Sequence, residues 1–161
     1  MTVLSSNDLY AALIGRILDY VPSGANAEMP AVSLRTGALG SRCWVLQAPD
    51  SPTFPYVTLR IASRRPKGDY GLVQGFAVEI DVWNRPRDKA HAQAVQAIAD
   101  QIEAALAEYA EPTTGAFVTG VELRDTIFYA SSPADRDVLR EMMRFSGILS
   151  VPYLALDIGT S

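Results

Sequence analysis

The stretch FAVEIDVWNRPRDKAHAQAVQAIADQIEAALAEY, residues 76–109, decides how this chain folds. In its first eight residues Phe76, Val78, Ile80 and Val82 alternate with Glu79, Asp81 and Trp83. That is the period-two pattern of a strand with one buried face. A tight corner follows at Asn84, Arg85 and Pro86. Beyond it His91, Val95, Ile98, Ile102, Leu106 and Tyr109 recur at steps of three and four, so they line up as one stripe along a helix. The spacing predicts a helix from about Pro86, a residue suited to a first turn, to about Tyr109, ended by Glu111 and Pro112. A strand that hands its chain to an amphipathic helix sends that helix back over the same sheet.

Outward from this stretch the pattern repeats in type. Tyr56 to Ile61 places Val57, Leu59 and Ile61 on one face and Thr58 and Arg60 on the other. It predicts a hairpin with the Phe76 strand across a polar tip, Arg64 to Gly71. After Gly115, Phe117, Val121, Leu123, Ile127 and Tyr129 fall at odd positions, with Glu122 and Arg124 between them. Past a polar loop from Ser131 to Asp137, Met143, Phe145, Leu149 and Val151 do the same, which makes a second hairpin. Near the start, the cap-type residues Ser6, Asn7 and Asp8 precede Leu9, Leu13, Ile14, Ile17, Leu18 and Val21 at helical spacing. A first helix from about Asp8 to Tyr20 follows, stopped by Pro22.

Pro22 to Pro55 is the least regular part, with five prolines and Gly24, Gly37 and Gly40 between them. One short strand, Arg42 to Gln47, fits inside it with Trp44 as its anchor. The expected fold is α+β: an antiparallel sheet of about four strands in two hairpins, with two helices on one face, in the order α-β-β-α-β-β. Residues 1–161 form one domain in this reading, and 22–55 are an extended arm or insertion.

Composition narrows the function classes. A chain of 161 residues, 48% apolar and 20% charged, is one ordinary folded domain rather than a disordered segment. Lys plus Arg total 14 against 18 for Asp plus Glu, a net charge of −4, which argues against a dedicated nucleic-acid binder. One cysteine, Cys43, cannot close an intramolecular disulfide. No apolar run reaches the roughly 20 residues that span a bilayer, and Met1 to Asp8 lacks a signal-peptide pattern. The expected setting is cytoplasm, or a particle assembled there.

Each chemistry-bearing residue has a plain reading. His91, the only histidine, stands near a helix start and suits packing or capping; with one His and one Cys no zinc site can be assembled in one chain. Cys43 beside Trp44 reads as a buried structural thiol. Glu79 and Asp81 share a strand face, with Glu122 expected on an adjacent strand and Arg60, Arg124 and Arg144 in range to neutralise them. Three uses fit these carboxylates: an ion-paired face, a subunit interface, or acid–base or divalent-ion chemistry. Arg64, Arg65 and Lys67, with Arg60 nearby, form the one basic cluster, either a solvated hairpin tip or a finger touching phosphates or an acidic surface. Asp135 and Asp137 lack the glycine and glutamate of a calcium loop. The tail from Leu154 to Ser161, with Leu154, Leu156 and Ile158 and almost no charge, is expected to extend the last strand or to be covered.

Pro55–Leu59, then Phe76 to Trp83 ending in Asp81–Val82–Trp83, then a helix such as Ala90 to Leu106 and a second hairpin, resemble the tail terminator family of tailed bacteriophages. These small tail completion proteins also occur in prophages and gene transfer agents. The resemblance covers roughly Tyr56 to Met143. It implies a structural virion protein of the tail or neck that forms a ring of about six subunits, caps the tail tube and stops its polymerisation. Its partners would be itself, the tail tube protein and a head-side connector or neck protein. DNA would pass the lumen without specific binding, and no membrane, cofactor, metal or catalytic residue is implied.

Asp81 and Trp83 stand at the matching strand end. Candidate interface residues are Arg60, Arg64, Arg65, Lys67, Glu79, Asp81, Trp83, Glu122, Arg124 and Trp44. The Pro22–Pro55 segment departs from the family pattern. With Leu34, Leu39 and Trp44 as anchors it is expected to lie on a neighbour's surface. The competing readings are another neck or tail-tube ring protein, a cytoplasmic α+β module binding a ligand or partner, and a hydrolase using Glu79 and Asp81.

Overall fold

The computed structural model describes residues 5–23, 28–67, 73–107, 112–113, 116–129 and 138–150. The first helix, α1 (Ser6–Asp19), starts where the Ser5 hydroxyl accepts the Asp8 N–H at 3.1 Å, a side-chain cap on a free helix donor. Three strands follow, β1 (Cys43–Val45), β2 (Tyr56–Lys67) and β3 (Val73–Asn84). The second helix, α2 (Lys89–Ala107), opens three residues later than Pro86. The reason is Asp88, whose carboxylate accepts the His91 N–H at 2.9 Å and caps the helix there. The chain closes with β4 (Pro112–Thr113), β5 (Ala116–Tyr129) and β6 (Leu139–Ser150).

The strands form one sheet in the order β1-β2-β3-β6-β5-β4. The two expected hairpins, β2–β3 and β5–β6, are both antiparallel, and they join because β6 pairs antiparallel with β3 along its whole length. The class is therefore α+β with two helices, but the sheet is six-stranded and mixed rather than four-stranded and antiparallel. β1 runs parallel to β2, with Cys43 opposite Val57 and Val45 opposite Leu59. Two short edge strands account for the difference, each too short to announce its partner.

Both helices pack on one face. Leu9, Leu13 and Ile17 of α1 and Val95, Ile98, Ile102 and Leu106 of α2 meet Val57, Leu59, Val78, Ile80, Val82, Met143 and Phe145 in one buried core. The register places Leu59, Ile80 and Met143 side by side across three strands. Gly147 lies opposite Phe76, and a Cβ there would come within 2.5 Å of the Phe76 ring. The absent side chain is what lets the ring cross the strand.

The segment leading to β2 folds onto its own domain. Leu34 and Leu39 are core residues, 4% and 0% exposed. Arg35 grips the end of α1 twice, its Nε donating to Asp19 Oδ1 at 2.6 Å and its Nη2 to Oδ2 at 3.2 Å, and this holds the Asp19 carboxyl below its usual range. Gln101 of α2 donates to the Val32 carbonyl at 2.9 Å. Two of the three anchors expected to reach a neighbour are thus used within the chain.

Candidate functional site

The helices cover one face of the sheet, so alternation leaves the other face of β1, β2, β3, β6 and β5 open. Register lays out what stands there. Tyr56 is opposite Trp83, Thr58 opposite Asp81 and Arg60 opposite Glu79. On the far side of β3, Trp83 faces Arg140, Asp81 faces Met142 and Glu79 faces Arg144. Trp44 of β1 lies beside Thr58.

At one end of this face the rings form a platform. Tyr56 stacks on Trp83 with centroids 6.0 Å apart and planes at 19°. Trp44 tilts onto Tyr56 at 5.7 Å, and Phe54 does so at 5.1 Å. Arg140 lies over the Trp83 ring at 4.9 Å and Arg85 over Phe54 at 4.7 Å, the cation-over-face geometry that aromatic quadrupoles favour. The Trp83 Nε1–H donates to Thr58 Oγ1 at 3.0 Å, which locks the indole in place. Leu46 borders the platform with 63% of its surface exposed and φ of 68°, in the left-handed region that costs a leucine energy. A depression of about 260 Å³ lies between Leu46, Asp81, Trp83 and Arg140.

Charges follow beside the rings, and they are paired. Arg140 Nε donates to Asp81 Oδ1 at 3.0 Å, and Arg60 forms an ion pair with Glu79 across the strands. Burial pushes the Asp81 carboxyl above its usual value, against the pull of the Arg140 hydrogen bond. Farther along, Arg144 meets Asp125 at 3.4 Å and Arg124 meets Glu122 at 3.6 Å. Glu79 and Asp81 thus each hold an arginine. Among the described residues no three His, Cys, Asp or Glu side chains come together to hold a metal ion.

The sequence-predicted residues scatter more than expected. Trp44, Arg60, Glu79, Asp81 and Trp83 do come together. Glu122 is not on a strand adjacent to β3, because β6 lies between: Glu122 pairs with Ser146, which pairs with Ala77. Strand alternation splits the basic cluster, and an irregularity in β2 between Ile61 and Ser63 decides which way each residue faces. That bulge shifts the alternation by one residue. Arg64 consequently turns back, donating to Gln74 Oε1 at 2.6 Å and to Ser6 Oγ at 3.1 Å, while Arg65 lines the open face with Arg124. The tip is also shorter than expected, since β2 runs through Lys67.

Tyr56, Arg140 and Arg85 were missed. Tyr56 shares the parity of Thr58 and Arg60, a signal present in the sequence, whereas Arg140 joins only through pairing across 59 residues. His91 sits in the first turn of α2 against the capping Asp88, its Nδ1 lying 2.7 Å from Asp88 Oδ1. Burial pushes the Cys43 thiol up to about 12, so it stays protonated and unreactive at neutral pH. Asp135, Asp137 and the tail from Leu154 lie outside the described residues.

Comparison with known proteins bears on the family and the fold. The family described as "Tail completion protein gp17" matches residues 1–137. A chain of the solved structure "Virion of native gene transfer agent (GTA) particle" superposes with a TM-score of 0.63 at 16% identity, covering 92% of this chain and 99% of that one. No curated protein sequence matches. Among the described residues no helix is long and apolar enough to cross a membrane.

Proposed function

The chain belongs to the tail completion protein gp17 family, whose members are structural proteins of the virion tail, and from that we propose that it is a ring-forming tail terminator. In this reading about six copies close head to tail, cap the tail tube, stop its polymerisation and present a second face to the head-side connector. Head-to-tail contacts that close give rings, and those that do not give filaments. A net charge of −4 per subunit, repeated around the ring, keeps a DNA passage from holding its cargo.

The observation that carries the reading is the open sheet face. Tryptophan, tyrosine and arginine are the residues that dominate protein–protein contacts, and here they stand together on one rigid sheet beside an exposed leucine. The charges beside the rings, Asp81 with Arg140 and Glu79 with Arg60, are already paired, so docking there leaves neither carboxylate as a bare ion. The chemistry is that of binding: one ring face copies the contact a tube subunit makes, and the other accepts no further tube layer.

The test uses two variants on the platform. Leu46→Asp keeps a residue that tolerates the left-handed region and puts a charge where an apolar contact is expected. Trp83→Ala removes the central ring. Both are expected to stay folded by circular dichroism and to weaken assembly at least tenfold, read by light scattering. Assembly unchanged in both variants would remove this face from the subunit contact.

A further inference from the structure

Beyond the Phe54–Arg85 end of the platform, over α2, lies a groove of about 670 Å³, within the size range of sites that bury a ligand. Its floor is the outer surface of α2, where His91, Ala94, Ala97 and Gln101 follow one another at successive turns, and Val32 and Phe54 stand on its walls. Small alanines leave the floor flat and apolar. Val32 is one of the few large apolar side chains left exposed among the described residues, at 44%. The described residues therefore build the groove and leave it open.

We propose that this groove holds the tail segment Val151–Ser161 of a neighbouring copy of the chain. The inference rests on the ring reading above and names a contact that closes it. Leu154, Leu156 and Ile158 alternate, so an extended tail presents all three on one side. From Leu154 to Ile158 such a strand spans about 14 Å at ~3.4 Å per residue. The groove floor from His91 to Gln101 is about 15 Å long at 1.5 Å per residue. Length and polarity both match.

The position of the tail's root selects a neighbour over the same chain. Asn84 and Arg85 mark one end of the groove, and Asn84 pairs with Leu139 at the start of β6. The tail leaves β6 at Ser150, at the other end, opposite Val73. β6 covers 12 residues, so its two ends are about 36 Å apart at ~3.3 Å per residue. At full stretch Leu154 reaches about 14 Å from Ser150 and Ile158 about 28 Å. The near end of the groove lies about 21 Å along β6 from Ser150, beyond the reach of Leu154, so a chain's own tail cannot seat all three apolar residues in its groove, whereas that of a copy docked beside it can. Each copy then gives a tail and receives one, which is a heterologous contact.

The test adds a fluorescent peptide of residues 151–161 to the full chain at concentrations where it is monomeric, with anisotropy as the readout. Saturable binding is expected, weakened at least tenfold by Ala97→Arg, an exposed position on the groove floor. No saturable binding up to millimolar chain, or binding indifferent to Ala97→Arg, overturns the proposal. Failure of the ring reading shows separately, as a full chain that never assembles.

Discussion

Glu141 shows how far a single residue can depart from its element's pattern. It pairs with Val82 in the register of β3 and β6, so it shares the parity of Met143 and Phe145 and points to the helix side. It is 9% exposed, and its Oε2 has no hydrogen-bond partner among the described residues. Burial, then the charges of Asp100 and Glu103 on α2, push its carboxyl above the usual range. The folded state holds this proton more tightly than the unfolded chain, so stability is fullest below the ordinary glutamate range and falls as pH rises through the raised value. Glu141→Gln is expected to be more stable than the parent at pH 7 by about 1 kcal/mol, and to lose that advantage at pH 4. Urea unfolding at both pH values measures it. A variant no more stable at pH 7 contradicts the assignment. Alternation in Met143 and Phe145 extends back to position 141, but a carboxylate at a core parity is the residue a hydrophobic pattern discounts.

At the scale of elements, legibility followed the length of the periodic signal. Phe76 to Val82 and the stripe from Val95 to Leu106 were readable because four or more apolar residues repeat without a break, and all of them are buried. β2 was readable only to Ile61, where the bulge reverses its parity, turning Arg64 to the helix side and Arg65 to the open face. β1 was foreseen as a strand but not as a parallel partner of β2, since three residues carry no register. The Pro22–Pro55 segment misled more deeply. Isolated leucines among prolines and glycines have no period, so nothing in the sequence separates a residue that anchors its own core from one that anchors a neighbour's surface. Leu39→Ala decides between them. As a core truncation it is expected to cost about 2–4 kcal/mol in the isolated monomer, read by chemical denaturation. An arm residue would leave the stability of the monomer unchanged.

The whole molecule is a sheet with one face committed to its helices and the other to the aromatic and ion-paired platform. Family membership fixes the setting as a tail, and the superposition at 0.63 covers 92% of this chain and 99% of the other. The proposed ring comes from the resemblance alone, because closure depends on the angle between two copies and no pattern within one chain records that angle. The most direct measurement is the native mass of the full chain across a concentration series, alone and with the tail tube protein. The account predicts a closed oligomer near six chains, populated more as concentration rises or when the tube is present. A monomer or dimer at every concentration, with tube protein as without it, would contradict the ring.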